Sequence, residues 1–304
     1  MESKLTYYTL QGKLHLLTAF LIRDEAMTSS TLTTSQFIRQ YKHTTCKLNF
    51  LSYVTTEFHQ HPCIQLSLSL HGDDLLSIMT EDGTHLTYGC IIGPNIMHKL
   101  NSSNTCSITL LIEPTDENYH LFNHLTESLP VIFLERDNII SIINYLIESF
   151  LCRKNPDTAI IYSLIGSYLS CHCQFDKRII KAISFIDSLS VKRVSSRQVA
   201  DKIYLSESRF LHLFRDQVGI NFRAYLLWLR LSDAIEEIHL NDSLTLVANN
   251  CGFSDTAHFS RTCKMSYGIR PSDIKRLTQN DSHIDCKTVE CLNKLMLNNI
   301  PAVT

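Results

Sequence analysis

Two short stretches, one near residue 210 and one near residue 260, carry hydrogen-bonding side chains at helical spacing. Ser208, Leu211, His212 and Arg215 fall at i, i+3, i+4 and i+7, opposite the apolar positions Phe210, Leu213 and Phe214. Forty-nine residues later Ala257, Ser260, Arg261 and Lys264 repeat that face, with His258 at its margin and Phe259 and Cys263 opposite. Such a face can read nucleic acid. Arg261 can hold a guanine edge bidentately and His212 can donate to a purine acceptor, while Leu211 and Ala257 offer only apolar contact, best used against a thymine methyl. Arg215 and Lys264, one turn further along, suit phosphates, and Arg209 and Arg223 suit surface or phosphate contacts. No nucleophile elbow, P-loop or dinucleotide fingerprint occurs in the 304 residues, so catalysis is not expected.

The charge distribution agrees with a polyanion partner for one part of the chain. Residues 1–175 hold 10 Lys and Arg against 16 Asp and Glu, residues 176–276 hold 16 against 11, and the last 28 residues hold 2 against 3. With 44% apolar residues and only 9 Gly and 7 Pro, the composition is globular and excludes a collagenous or largely disordered chain. No run approaches the length of a membrane-spanning helix, and the start, Met1-Glu2-Ser3-Lys4, lacks a secretory pattern; a cytoplasmic protein with no membrane partner is expected. Eleven cysteines, an odd number without repeated CxxC spacing, suggest small buried hydrophobes rather than disulfides or a zinc ribbon. The Cys171-His172-Cys173 run reads as ordinary helix-end residues, because neighbours on one helix cannot converge on one ion.

The elements that must position these residues follow from periodicity. Between Lys47 and Ile112, short alternating or apolar runs are separated by turn residues at His71–Asp74, Glu81–Gly83 and Gly93–Asn95, as in an antiparallel sandwich or barrel. From Asp137 to Lys154, Ile139, Ile142, Ile143, Leu146, Ile147 and Phe150 recur at three and four, predicting a helix with one broad apolar face that pairs two chains. A second helix is expected from Thr158 to about Cys171. Beyond Asp176 the pattern is helical almost throughout, with caps at Ser195 and Ser206, a tight Tyr204-Leu205 turn, and a longer helix from Phe222 to Ile238 carrying Trp228, the only tryptophan.

A short helix, a three-residue turn and a second capped helix form a helix-turn-helix pattern. It occurs twice: Ser206, Phe210, Phe214 and Gly219 stand 6, 10, 14 and 19 residues after Ala200, and Ser254, Phe259, Cys263 and Gly268 stand 6, 11, 15 and 20 after Ala248. Two such units joined by a helix, with Gly252-Phe253-Ser254 as the second turn and Gly268-Ile269-Arg270-Pro271 closing it, resemble the DNA-binding domain of the AraC/XylS family of bacterial transcription regulators. The resemblance covers residues 178–276. The chain departs from the family pattern at Cys263, where a second Phe is usual, and at Ile274-Lys275, where Tyr-Arg is usual. It implies that both recognition helices enter major-groove segments and that the helix starts at Ser206 and Ser254 can contact phosphates.

In the front half, His59-Gln60-His61, Gln65, Gly72, Gly93-Pro94 and His98 resemble the two motifs of the cupin barrel. In metal-binding cupins the equivalents of His59, His61 and His98 are ligands and a Glu stands where this chain has Gln65. A neutral amide is a poor replacement for a carboxylate, and the second motif is shortened, so no metal and no cofactor are expected. The reading is a multidomain chain: a cupin-like sensor barrel at 1–130, connecting and dimerising helices at 131–175, a double helix-turn-helix domain at 176–277, and a tail at 278–304 with an amphipathic stretch near Lys287–Leu297. Double-stranded promoter DNA and a second copy of the chain are the expected partners, with RNA polymerase and a small-molecule effector as candidates. The alternatives are a cupin metalloenzyme fused to a DNA-binding domain and an effector-independent regulator controlled by a protein partner.

Overall fold

The run Ile64 to Ser69 alternates apolar and polar residues, and a strand turns alternate side chains to opposite faces of its sheet. The computed structural model describes residues 37–42, 45–70, 75–151, 154–167, 175–238, 240–241 and 243–279, and places that run inside a six-stranded antiparallel sheet. The sheet comprises β1 (Phe37–Lys42), β2 (Cys46–Ser52), β3 (Ile64–Ser69), β6 (Gly89–Ile92), β8 (Cys106–Ile112) and β9 (Val131–Phe133), in the order β1-β2-β8-β3-β6-β9. A second sheet holds β4 (Leu76–Thr80), β5 (Gly83–Thr87) and β7 (Lys99–Asn101), in the order β5-β4-β7. Among the described residues the ladders do not close into a barrel. The chain between β2 and β3 pairs its backbone with the segment of β7 through isolated bridges, Thr55 to Asn101 and His59 to His98, and not through a ladder, so the closed barrel expected from the motifs becomes a β-sheet domain of two ladders. Strand β9 still pairs with β6, beyond the boundary drawn at residue 130.

One face of the large sheet is apolar. Leu48, Phe50, Ile64, Leu66, Leu68, Ile108, Leu110 and Ile112 pack under three helices: α1 (Tyr119–Ser128), α2 (Arg136–Leu151) and α3 (Thr158–Leu164). The opposite face carries a polar strip in which Gln65 Nε2 donates to Ser67 Oγ at 3.0 Å and Ser67 Oγ meets Thr109 Oγ1 at 3.2 Å. Near one edge, Leu51, Val54, Cys90 and Ile92 join Leu76, Ile78 and Leu100 of the second sheet in a smaller core.

Helix α2 corrects one expectation. Ile139, Ile142, Ile143, Leu146 and Ile147, read as a surface for a second chain, are all at most 4% exposed and belong to the core beneath the sheet. The broad stripe is wide because it reaches both the sheet and the neighbouring helices, and nothing of those five side chains is left for a partner. The turn at 71–74, the run Cys171 to Cys173 and the tail beyond residue 279 lie outside the described residues, as does the side chain of Phe150.

Among the described residues the C-terminal domain holds seven helices: α4 (Lys177–Asp187), α5 (Ser196–Lys202), α6 (Glu207–Val218), α7 (Phe222–Glu237), α8 (Leu244–Asn250), α9 (Thr256–Tyr267) and α10 (Pro271–Gln279). Their starts carry side-chain caps: Asp176, Ser195 in a full capping box with Gln198, Ser206, Asn221, Ser243 and Asp255 each accept from a backbone N–H of the following turn. The cap of α9 is Asp255, not Ser254. The residue inserted in the second unit lies in its turn, so the cap moves one place and stands forty-nine residues after Ser206. Helix α7 is shared. Its first half, through Phe222, Tyr225, Leu226 and Leu229, fills the core of the first unit, and its second half, through Trp228, Leu231, Ala234 and Ile235, fills that of the second. No helix among the described residues is long and apolar enough to cross a membrane.

Because Ile143 is 1% exposed beneath the sheet, Ile143→Ala is expected to destabilise the front domain by about 2–5 kcal/mol through the cavity it leaves. Denaturant unfolding followed by separate probes for the two domains checks this. A loss under about 0.5 kcal/mol, with weakened self-association instead, would restore the helix as a pairing surface.

Candidate nucleic-acid interface and the domain joint

The two recognition faces are built by the same local rules. Phe210 and Phe214 of α6 are buried against Phe222, with ring centroids 5.1 and 5.4 Å from it, which turns Ser208, Arg209, Leu211, His212 and Arg215 to solvent. In α9, buried Phe259 and Cys263 play the same part; Ala257 and Arg261 are exposed, while His258, Ser260 and Lys264 are half-buried. Cys263 is fully buried where its counterpart is Phe214, and its S–H donates to the Ile269 carbonyl at 3.2 Å. Both helices end on a left-handed glycine, Gly219 at φ 81° and Gly268 at φ 68°. In both units a hydroxyl near the start of the first helix bonds the first residue of the recognition helix: Ser196 to Glu207, and Thr256 to Thr245 at 3.1 Å. All ten expected nucleic-acid contacts therefore lie on two helices with matching frames.

Sequence reading missed the residues that hold these frames together. Arg193, in the loop before α5, donates from Nε to the Gly252 carbonyl at 3.1 Å and from its terminal nitrogen to the Phe253 carbonyl at 2.9 Å, tying the first unit to the turn of the second. Arg230 of α7 donates to the Lys192 carbonyl at 2.8 Å beside it. Neither arginine stands in a periodic pattern, so no local signal marks them.

The second unit also docks on the front domain. The Glu57 N–H donates to the Gly268 carbonyl at 2.7 Å and the Gln60 N–H to the Met265 carbonyl at 3.0 Å, so carbonyls that the end of α9 leaves without helical partners are bonded across the joint. Beside them lies a buried ion pair, Lys47 Nζ to Glu113 Oε1 at 2.7 Å. Burial alone would depress the Lys47 ammonium; the Glu113 carboxylate opposes this and holds it above its usual range. The ammonium sits 4.3 Å from the centre of the Trp228 ring, and Trp228 stacks on Tyr267 at 5.4 Å. Leu111 of β8 and Cys63, just before β3, complete the core of the second unit, whereas among the described residues the core of the first draws on the helical domain alone.

Three histidines meet at this joint. His59 and His98 face each other across a backbone bridge, with N–H to carbonyl distances of 2.9 Å both ways, and their rings lie 4.2 Å apart. The second motif is shortened, yet the ligand atoms of His59, His61 and His98 all lie within 4.8 Å of one another. All three are buried, and burial depresses each imidazole below the ordinary range, His59 to about 3, so all are neutral. A cavity of about 70 Å³ adjoins them, lined by His59, His61, Gln65 and Thr109 on the sheet side and by Ile235, Tyr267 and Ile274 on the helical side.

A helix-turn-helix domain family matches residues 199–277. The regulatory protein PocR of Salmonella typhimurium is 30% identical over 109 residues, 36% of each chain. The arabinose operon regulatory protein of Escherichia coli is 34% identical over 110 residues, 35% of this chain and 37% of its own. The matched stretch thus spans little more than a third of these relatives. The probable transcriptional regulator LumQ of Photobacterium leiognathi is 24% identical over 230 residues, 71% of this chain and 90% of its own. Among solved structures, an apo form of ToxT from Vibrio cholerae has the same fold, with a TM-score of 0.52 at 14% identity over 77% of this chain and 98% of that one. The first three are regulators by name, and the likeness to the fourth is one of fold.

The two helix-closing glycines separate backbone strain from docking. A Cβ at Gly219 would meet nothing within 4 Å, whereas one at Gly268 would run into the Glu57 carbonyl and the His59 ring. Gly219→Ala is expected to cost about 1–2 kcal/mol for the left-handed backbone alone. Gly268→Ala should cost clearly more and expose the stretch between the domains to protease. Equal losses in thermal unfolding would mean that the joint contributes nothing at this point.

Proposed function

We propose that this chain, which belongs through its C-terminal domain to the AraC/XylS family of transcription regulators, binds duplex promoter DNA sequence-specifically by placing α6 and α9 in successive major-groove segments. The observation that carries this reading is the matched pair of outward faces, Ser208-Leu211-His212-Arg215 and Ala257-Ser260-Arg261-Lys264, on helices with equivalent caps and ends. Arg261, exposed in mid-helix, reads a base edge. Lys264, half-buried one turn later in a groove that also holds Arg270 and Arg276 beside Glu57 and Asp273, holds phosphate. Arg209 and Arg215 position the first unit in the same way, and His258, whose ring nitrogen lies 3.1 Å from Ser254 Oγ, borders the second face.

The front domain acts as a cupin-like sensor, and RNA polymerase is the machinery that the bound regulator addresses. The joint supports a sensor because side chains from both domains line one cavity. Pairing of two chains, if it accompanies DNA binding, uses surfaces other than the apolar face of α2, which is consumed within the chain.

A binding selection on randomised duplexes tests the assignment of the second helix. Arg261→Ala should relax preference at a single base pair, with a loss of roughly 1–3 kcal/mol there. Lys264→Ala should weaken all sequences about equally and reduce the log-log salt slope by about one. If Lys264→Ala changes the preferred bases and Arg261→Ala does not, the orientation of α9 in the groove is wrong; if no duplex is enriched by the unmodified chain, the DNA-binding reading fails.

A further inference from the structure

Four strands end the two sheets, β1 and β9 the larger, β5 and β7 the smaller. The outer edge of such a strand turns alternate N–H and C=O groups away from its sheet, and folds guard it with lysine, proline, shortness or a covering segment. Among the described residues three of the four edges are guarded. β1 has Arg39 and Lys42 in its sequence and runs beside α10. β9 is three residues long and follows Pro130. β7 begins at Lys99 and is bridged at Asn101 by Thr55. β5, Gly-Thr-His-Leu-Thr, has no charge, no proline and no bridge on its outer side. Its faces are apolar where water meets them: Leu86 is 66% exposed on one, and on the other the His85 ring lies 5.2 Å from that of Phe133, itself 46% exposed.

We propose that β5 pairs antiparallel with β5 of a second copy about a twofold axis at His85, joining the two small sheets into one in the order β7-β4-β5-β5-β4-β7. Opposite residues of an antiparallel pair must both turn their hydrogen-bonding groups inward or both outward, so the strand meets its own copy only in registers centred on a residue. Centring on His85, the middle of the strand, pairs all five residues: Gly83 with Thr87, Thr84 with Leu86, and His85 with itself. Charge favours the same register. The turn between β4 and β5 carries Glu81 and Asp82, both exposed, and one place past the last pair Asp82 falls opposite Tyr88 of the second copy. Over the Tyr88 ring, 5.3 Å from its centre, lies the exposed Arg136 guanidinium, so each acidic turn meets an arginine of the other chain, twice by symmetry. The two Leu86 side chains become diagonal neighbours on one face, and on the other the two Phe133 rings flank the paired histidines. A five-residue edge is about 17 Å long. That is too short for the burial of about 2,000 Å² or more typical of permanent dimers, so the pairing is reversible and micromolar.

This pairing holds whether or not the chain binds DNA, and the full chain tests it. Sedimentation across the micromolar range should show a monomer–dimer equilibrium. Leu86→Lys, at an exposed position where the fold is untouched, should weaken the dimer at least about tenfold. Asp82→Arg should weaken it about fivefold, and the double variant Asp82→Arg/Arg136→Asp should recover most of that loss. Under oxidised glutathione, His85→Cys should trap a disulfide-linked dimer, because opposite residues of an antiparallel pair have Cα atoms about 4.5–5.5 Å apart, within reach of a disulfide. Glu81→Cys, exposed in the turn but eight places from its own copy along the paired strands, should cross-link no more than the wild type with its native cysteines. Cross-linking of Glu81→Cys as readily as His85→Cys, or a Leu86→Lys chain that dimerises as tightly as wild type, would overturn the interface. So would a wild type that stays monomeric; if every β5 amide is then protected from hydrogen exchange, another segment of the same chain covers the edge.

Discussion

The last carbonyls of an α-helix have no partner inside the helix, and whatever bonds them fixes where the helix points. At the end of α9 part of that work falls to the other domain, through the N–H groups of Glu57 and Gln60. The orientation of the second recognition helix is therefore a property of the whole chain. The surrounding contacts follow from this constraint: the joint must exclude water, so Lys47 and Glu113 are buried as a pair, with the aromatic face of Trp228 over the ammonium. Breaking such a pair strands a charge, at a cost of about 3–5 kcal/mol, which makes the joint specific in register as well as stable.

The two helix-turn-helix units are alike in frame and unlike in dependence. The first has an aromatic core of Phe210, Phe214, Phe222 and Tyr225, closed by its own helices. The second replaces one phenylalanine by Cys263 and completes its core with Cys63 and Leu111 from the sheet. Among the described residues one core is thus closed within the helical domain and the other is completed by the sheet domain.

Much of this was legible in the sequence where the controlling interactions are local. Caps and helix periodicity depend on residues a few places apart, and with the forty-nine-residue repeat they put the ten candidate side chains on two equivalent helices. The inserted residue was visible too, although not that it shifts the cap to Asp255. Periodicity gave the apolar stripe of α2 but not its destination, because a stripe facing a sheet and one facing a second chain have the same pattern. The joint was illegible for a different reason. Lys47 and Glu113 are 66 residues apart and meet only because β2 and β8 pair with Cys46 opposite Ile112. His98 reaches His59 through an isolated bridge that motif spacing cannot anticipate.

If α6 and α9 enter a duplex as proposed, Arg193 bears on the nucleic acid as well as on the protein. With α7 shared between two cores and the Arg193 guanidinium fastened to the turn of the second unit, the interval between α6 and α9 is braced at two places. A braced ruler laid along a duplex adjusts little to it, so any mismatch in pitch must be taken up by the DNA. The base pairs lying between the two grooves would then be selected for how readily they bend, and the stiffness of a stretch that no side chain touches becomes part of the sequence that is recognised.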